Sequence, residues 1–181
     1  PLALGAYHYG PGQEQMVLDE AASFIRDAKT AVDGEEWAQA VAAYDEALSL
    51  LPPERKAERW RLQLEKAKAQ MQCSKLPTAH DALVTLLETV EGDPAADAQL
   101  KADTRLALAN AQYYMTWLLR LEGQPRTVWE PEIDAARQNY RLLAEKAVGK
   151  AQAERKEDLE ASVKLSRLDL TELQGLPLPS Q

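Results

Sequence analysis

Few side chains in this sequence are of the kinds that catalyse reactions or bind metal ions. The chain has two histidines, His8 and His80, and one cysteine, Cys73. A thiol needs a neighbouring base or cation to become a nucleophile, and no histidine lies near Cys73 in sequence. A structural zinc site needs four clustered ligands, which two histidines and one cysteine do not provide. We therefore predict no catalytic residue, no metal site and no cofactor.

Carboxylates are plentiful, but their pattern is that of helix surfaces. Acids stand together at Glu35 and Glu36, and they alternate with bases over 154–160. Paired carboxylates perform acid–base catalysis only where burial separates their pKa values, whereas alternating charges are typical of a solvated helix face. The motifs of phosphate loops, zinc peptidases and serine hydrolases are absent. These patterns favour a protein that is not an enzyme, with a site dispersed over several helices as an alternative.

The amino-acid composition indicates helices. The 181 residues include 30 Ala and 27 Leu but only 8 Val, 2 Ile and 1 Phe. Strands prefer β-branched and aromatic residues, whereas Ala and Leu favour helices. The net charge of −8 argues against nucleic-acid binding, since a phosphate backbone requires clustered Lys and Arg. We predict an all-α protein.

Proline and glycine positions divide the chain into predicted helices. Proline inside a helix removes a hydrogen bond and clashes with the preceding turn, so long intervals between the ten prolines indicate helices. Gly34 and Gly149 divide two of these intervals further. Helix-capping residues are predicted at Thr78, Asp93 and Thr127. The seven predicted helices cover 13–32, 35–50, 54–73, 78–91, 95–121, 128–148 and 150–173.

The two ends differ from the middle of the chain. Residues 1–12 contain glycine and proline and no charged side chain. We expect them to be either a flexible N-terminal arm or the stub of an upstream anchor or signal segment. A tether of that kind would place the domain outside the cytoplasm, and its absence would make the protein cytoplasmic. A single helical domain is predicted over 13–173, followed by a tail at 174–181.

Residues 21–54 carry a motif of small and aromatic residues around a turn at Gly34. The small residues are Ala28, Ala40 and Ala47, and the aromatic residues are Phe24, Trp37 and Tyr44. Small side chains let two helix backbones approach closely, and the aromatic ones would fill the space between helices. This stretch closely resembles the tetratricopeptide repeat, whose conserved small positions, aromatic position and final proline match here, the last as Pro52. Asp27 departs from the pattern, because the family usually has an aliphatic residue there.

The resemblance implies antiparallel helical hairpins stacked as a short right-handed superhelix. As a succession of helix pairs, the resemblance covers 21–148, with pairs at about 13–50, 54–91 and 95–148. Only the first pair carries the motif, although Ala136 and Tyr140 in the third pair repeat the spacing of Ala40 and Tyr44. A helical bundle without repeats is the alternative architecture.

The last predicted helix, 150–173, differs from the others because it lacks small residues at socket positions. It has instead an apolar stripe of Leu159, Val163, Leu170 and Leu173, with charged residues on its other side. A repeat array leaves its last core face uncovered and requires a terminal helix with a polar outer surface. We therefore predict that this segment is a capping helix.

In the tetratricopeptide family, the first helix of each pair lines a concave groove. By this resemblance, the groove residues would be Ile25, Lys29, Val32, Asn110, Tyr114 and Trp117. Tyrosine and tryptophan are frequent anchors at protein interfaces, although Trp117 could instead fill the core together with Tyr113. The Lys–Asn pair with which some members bind a partner's C-terminal carboxylate is not matched, because Ile25 and Lys29 hold the corresponding positions.

The sequence thus predicts a non-catalytic scaffold or adaptor that binds a peptide or another protein in a concave groove. Neither nucleic acid nor a small-molecule cofactor is expected as a ligand. The charge of −8 favours a partner surface that is basic in part. The alternatives are a structural domain that pairs with copies of itself and the enzyme with a dispersed site.

Overall fold

A computed structural model describes residues 11–174, and the chain is all-helical over this range, with no strand. The expected arm at 1–10 and the tail beyond 174 lie outside the described residues, and residues 11 and 12 belong to the first helix. None of the helices formed by 11–174 is both long enough and apolar enough to cross a bilayer. The helices are α1 (Pro11–Asp33), α2 (Trp37–Leu50), α3 (Lys56–Gln72), α4 (Leu76–Gly92), α5 (Ala98–Leu121), α6 (Arg126–Lys146), α7 (Gly149–Arg167) and α8 (Leu170–Gln174).

The chain divides into two compact units, Pro1–Cys73 and Ser74–Gln181, which we call unit 1 and unit 2. In unit 1, α2 packs against both α1 and α3. In unit 2, α5 packs against α4 and α6, α6 also packs against α7, and α8 packs against α5. The boundary falls between the helices of the predicted second pair, so these two belong to different units. The single domain over 13–173 and the superhelical stacking stay predictions.

Small residues form the centre of unit 1. Ala28, Ala40 and Ala47 have no exposed surface, and Tyr44 is 3% exposed. Phe24 and Trp37 are half-buried and pack against the same core. Because an alanine adds only a methyl group to the helix surface, these positions allow α1 and α2 to pack closely, and the aromatic side chains occupy the remaining space.

In unit 2, alanine and tyrosine occupy similar positions. Ala136 has no exposed surface and Tyr140 is 3% exposed. Both belong to a core cluster with Ala109, Ile133 and Leu165. Burial strongly raises the pKa of Tyr140, so its hydroxyl stays protonated and can act as a hydrogen-bond donor.

The turn between α1 and α2 is a Schellman motif whose left-handed residue is Glu35 and not Gly34. The Glu36 N–H donates to Ala31 O over 2.7 Å, the Glu35 N–H donates to Val32 O over 3.0 Å, and φ of Glu35 is +57°. The left-handed region suits glycine and costs other residues roughly 1–2 kcal/mol. The sequence places this turn correctly, but its glycine stands one position before the residue that needs it.

The predicted cap at Asp93 is wrong, because α5 begins five residues later. The Asp93 carboxylate accepts a hydrogen bond from Ala95 N over 2.8 Å and so closes the turn between α4 and α5. Asp97 is the actual cap, and its carboxylate accepts from Leu100 N over 2.7 Å. Both aspartates accept hydrogen bonds from backbone N–H groups that would otherwise lack partners. Because Asp97 accepts from the first turn of α5 and Asp93 does not, the helix begins after Asp97.

The predicted caps at Thr78 and Thr127 are also wrong. Helix α4 begins at Leu76 and α6 at Arg126, so both threonines lie inside their helices. Glu130 stands three residues after Thr127, where a capping box would need it, but its carboxylate accepts from Arg126 Nε over 2.8 Å. A charged donor one turn away therefore replaces the backbone donor as its partner.

The predicted capping helix at 150–173 is two helices, separated at Leu168 and Asp169. Asp169 and Glu172 form a capping box that starts α8: Asp169 N donates to the Glu172 carboxylate over 2.9 Å, and Glu172 N donates to the Asp169 carboxylate over 2.7 Å. This reciprocal pair satisfies two backbone donors and so favours a new helix start over continuation of α7.

The buried face of α7 also differs from the predicted stripe. Ser162 has no exposed surface and Leu165 is 1% exposed, whereas Leu170 is 46% exposed. Leu159 and Val163 are half-buried, and Leu173, now on α8, is buried. Ser162 is thus a buried small residue of α7 that does not belong to the predicted stripe.

In unit 1, an arginine of α3 closes the C-terminal end of α2. Arg59 Nη1 donates to Leu48 O over 2.8 Å and to Leu51 O over 2.6 Å. The last carbonyls of a helix have no partners within the helix and carry partial negative charge. A guanidinium is well suited to them because it is always cationic and offers several donors in one plane.

In unit 2, Arg120 of α5 has the same role at the end of α7. Its Nη1 donates to Leu165 O and its Nη2 donates to Leu168 O. The Arg120 side chain is only 9% exposed, and its guanidinium carbon lies 4.7 Å from the ring centroid of Trp129 on α6. One side chain thus joins α5, α6 and α7.

We predict that Glu35→Gly raises the free energy of unfolding by about 1 kcal/mol, because it removes the strain of a left-handed glutamate. Urea denaturation measures the change. Gly34→Ala is the matched control: a Cβ there would meet Thr30 O at 3.5 Å, an ordinary contact, so no large loss is expected. If Gly34→Ala is the more destabilising change, the left-handed residue is Gly34 and the description of this turn is wrong.

We predict that Arg120→Met lowers the free energy of unfolding by about 2–4 kcal/mol, because it leaves one buried and one partly buried carbonyl without their donor. Arg126→Met is the matched control, since the exposed Arg126 guanidinium also approaches Trp129, at 5.9 Å from the ring centroid, without capping a helix. Thermal and urea unfolding followed by circular dichroism would compare them. Equal effects of the two substitutions would contradict the capping role of Arg120.

Candidate functional site

The side chains singled out for possible chemistry are either isolated or paired within the fold. His8 lies outside the described residues. Cys73 is half-buried at the end of α3, where its Sγ lies 3.7 Å from Gln70 O. Among residues 11–174, no three His, Cys, Asp or Glu side chains are grouped so that they could hold a metal ion.

His80 has two carboxylates beside it. Its Nε2 lies 3.1 Å from a carboxylate oxygen of Glu132 on α6, and its Nδ1 lies 3.2 Å from one of Asp81. Glu132 raises the pKa of His80 above its usual value, burial acts in the opposite direction, and Asp81 raises it further. When His80 is protonated, the arrangement is an ion pair between α4 and α6, which the sequence did not indicate because Glu132 is 52 residues away.

The unit 1 residues of the predicted groove share one face of α1, since their spacing of four and three residues matches the helical repeat. Ile25 and Val32 are half-buried and pack against the unit 1 core, and Lys29 is exposed. This face is therefore partly apolar, with a cation between the two aliphatic side chains.

The unit 2 residues of the predicted groove take part in packing within α5–α7. The Tyr140 hydroxyl donates to the Asn110 side-chain oxygen over 2.8 Å. Trp117 packs against the unit 2 core, and its indole N–H is buried with no hydrogen-bond partner among the described residues. Tyr114 is half-buried, with its ring edge-to-face against Tyr113 at 5.5 Å between centroids. The predicted groove residues of α1 belong to unit 1 and those of α5 belong to unit 2. A groove formed by both remains a prediction.

A buried polar network in unit 2 was not predicted from the sequence. Arg105 Nη1 donates to the Asn139 side-chain oxygen over 2.7 Å, and Asn139 Nδ2 donates to the Gln112 side-chain oxygen over 3.0 Å. The second guanidinium nitrogen of Arg105 donates to the Glu91 carboxylate, so the network joins α4, α5 and α6. Its sequence signal is weak: Gln112 and Asn139 are polar residues at positions where the helical period expects apolar ones.

A cavity of about 540 Å³ lies beside this network, between α4, α5, α6 and α7. Its apolar lining includes Leu106, Leu142 and Leu143, together with several alanines. Four cationic side chains also line it: Lys101, Arg105, Lys146 and Arg155. Three carboxylates line it as well: Glu91, Asp103 and Glu154.

The four cations of this cavity differ in how far they are neutralised. Arg105 forms an ion pair with Glu91. Arg155 forms two: its Nε lies 3.3 Å from Asp158 Oδ2, and its Nη2 lies 3.6 Å from Glu154 Oε2. Lys101 and Lys146 have no ion pair or hydrogen bond to any described side chain. The cavity can therefore attract an anion.

We predict that the His80–Glu132 pair stabilises the protein at acidic pH. Because the folded pKa of His80 is above the unfolded value near 6.5, its contribution is complete below about pH 6.5 and disappears as pH rises through the folded pKa. Urea unfolding of wild type and Glu132→Gln should differ more at pH 5.5 than at pH 8.5. An NMR titration in a His8→Gln background, where His80 is the only imidazole, should give a pKa above 6.5. A value at or below 6.5 would refute the pairing.

Comparison with known proteins gives no relative: no family model matches the chain, and neither a curated protein nor a solved structure is significantly similar to it. The resemblance to the tetratricopeptide repeat therefore rests on the residues of 21–54. The family assignment stays a prediction.

Proposed function

We propose that the protein is a non-catalytic scaffold that binds a peptide or a partner surface on its helical faces. The observation that carries the proposal is the packing of the α1–α2 hairpin. Ala28, Ala40 and Ala47, the small residues of the repeat motif, are all completely buried. Ile25 and Val32 border this packing face of α1 and are only half-buried, so part of their surface stays open to a partner.

The contact face of α1 would consist of Ile25, Lys29 and Val32. Two half-buried aliphatic side chains beside an exposed ammonium group suit a partner that offers an apolar side chain next to a carboxylate. Such a local preference differs from that of the whole chain, whose charge of −8 favours a basic partner at longer range.

In unit 2, the proposal relies on Tyr114. Like Tyr114, Asn110 and Trp117 take part in packing within unit 2. The proposal places one contact in each unit: the α1 face in unit 1 and Tyr114 in unit 2.

We predict that Lys29→Glu and Tyr114→Ala each weaken binding of the main partner about tenfold or more, as expected for interface anchors. Quantitative affinity capture from source cells would identify the partner, and titration with the purified partner would measure the change. Lys156→Glu is the matched control, because Lys156 is an exposed lysine on α7, outside the proposed face.

Equal binding by Lys29→Glu, Tyr114→Ala and wild type would refute the proposed surface. Sedimentation of the purified chain tests the alternative function: a dimer that is lost in the Lys29→Glu variant would favour a structural domain that pairs with itself.

A further inference from the structure

The unit 2 cavity has the size and lining of a site for a small molecule. Ligand sites are commonly clefts of about 300–1,000 Å³ with mostly apolar walls and a few converging polar groups. This cavity measures about 540 Å³ and combines leucine and alanine side chains with charged groups. Its four helices all belong to unit 2, so one compact unit forms it.

The charge of the cavity is opposite in sign to that of the protein. Four cations and three carboxylates line it, while the whole chain carries −8. Hydrogen bonds and ion pairs hold Arg105 and Arg155, which leaves Lys101 and Lys146 without an acidic partner among the described residues. Because the two lysines have no such partner, an incoming anion would not have to displace a carboxylate of the protein.

The apolar part of the lining specifies the rest of the ligand. Leu106 and Leu142 are half-buried and Leu143 is nearly buried, so their side chains give the cavity a hydrocarbon surface beside the cations. A small inorganic anion would leave this surface in contact with water. An anion with a hydrocarbon body would cover this surface and remove it from water, which favours binding.

We propose that this cavity binds an alkyl carboxylate, with its carboxylate beside Lys101 and Lys146 and its chain against the three leucines. This inference is independent of the proposed scaffold function, since none of the residues named for the partner surface lines the cavity. The buried network of Arg105, Asn139 and Gln112 holds α5 and α6 in fixed positions beside the ligand.

Titration calorimetry with octanoate, kept below its micelle-forming concentration, tests the proposal on the full chain. Octanoate should bind with one-to-one stoichiometry, at least about tenfold more tightly than octanol or octyltrimethylammonium. Binding of octanol with equal affinity would overturn the proposal, since the lysines would then have no role. Failure of octanoate to bind at millimolar concentration would also overturn it.

Paired variants locate the site. K101Q/K146Q should weaken octanoate binding about tenfold or more, whereas the control K156Q/K164Q, which changes net charge equally, should bind as wild type does. Lys164 borders an open apolar groove beside α7 and α8, so a loss in the control would assign binding to that groove and refute the cavity. Ala102→Trp, which fills the cavity without changing its charge, should abolish binding; unchanged binding by this folded variant would refute the site.

A peptide with an apolar residue between glutamates provides the remaining comparison. If it binds more tightly than octanoate and loses affinity in K101Q/K146Q, the cavity recognises a protein segment and the alkyl-carboxylate assignment is wrong. If octanoate binds more tightly, the assignment stands.

Discussion

Capture of helix C-termini by arginine is the interaction on which both units depend. Arg59 in unit 1 and Arg120 in unit 2 each donate to two carbonyls three residues apart, at the end of a helix that belongs to a different part of the chain. Buried carbonyls without donors are costly, so each guanidinium fixes where that helix ends. In unit 2, the same guanidinium also faces the Trp129 ring, and three helices are thereby held in register.

The polar side chains in the interior of unit 2 make this unit different from unit 1. The unit 1 core is mostly alanine, which brings helix backbones close together and leaves little space between them. In unit 2, the side chains of Arg105, Gln112 and Asn139 hold their helices through hydrogen bonds, and a cavity lies beside them. Such a network specifies one arrangement, since any shift would leave buried donors without acceptors.

The helical class and most helix positions could be predicted from composition and from proline spacing, because both act through local backbone physics. Helix starts were less predictable. Asp93 and Asp97 are both good caps, and only the structure shows that Asp97 opens α5 while Asp93 closes a turn. The break at Leu168 was missed for the same reason: a capping box and the guanidinium of Arg120 compete with continuation of the helix, and the second of these comes from 48 residues away.

The sequence by itself determined an all-α chain, the approximate extent of its helices, the α1–α2 hairpin and the scarcity of catalytic groups. These properties depend on residue type and on neighbours within a few positions. The tertiary structure alone decided that Asn110 serves Tyr140, that His80 meets Glu132, and that Lys101 and Lys146 line one cavity. Each of these outcomes joins residues on different helices, and the side-chain packing that brings them together leaves no periodic pattern in the sequence.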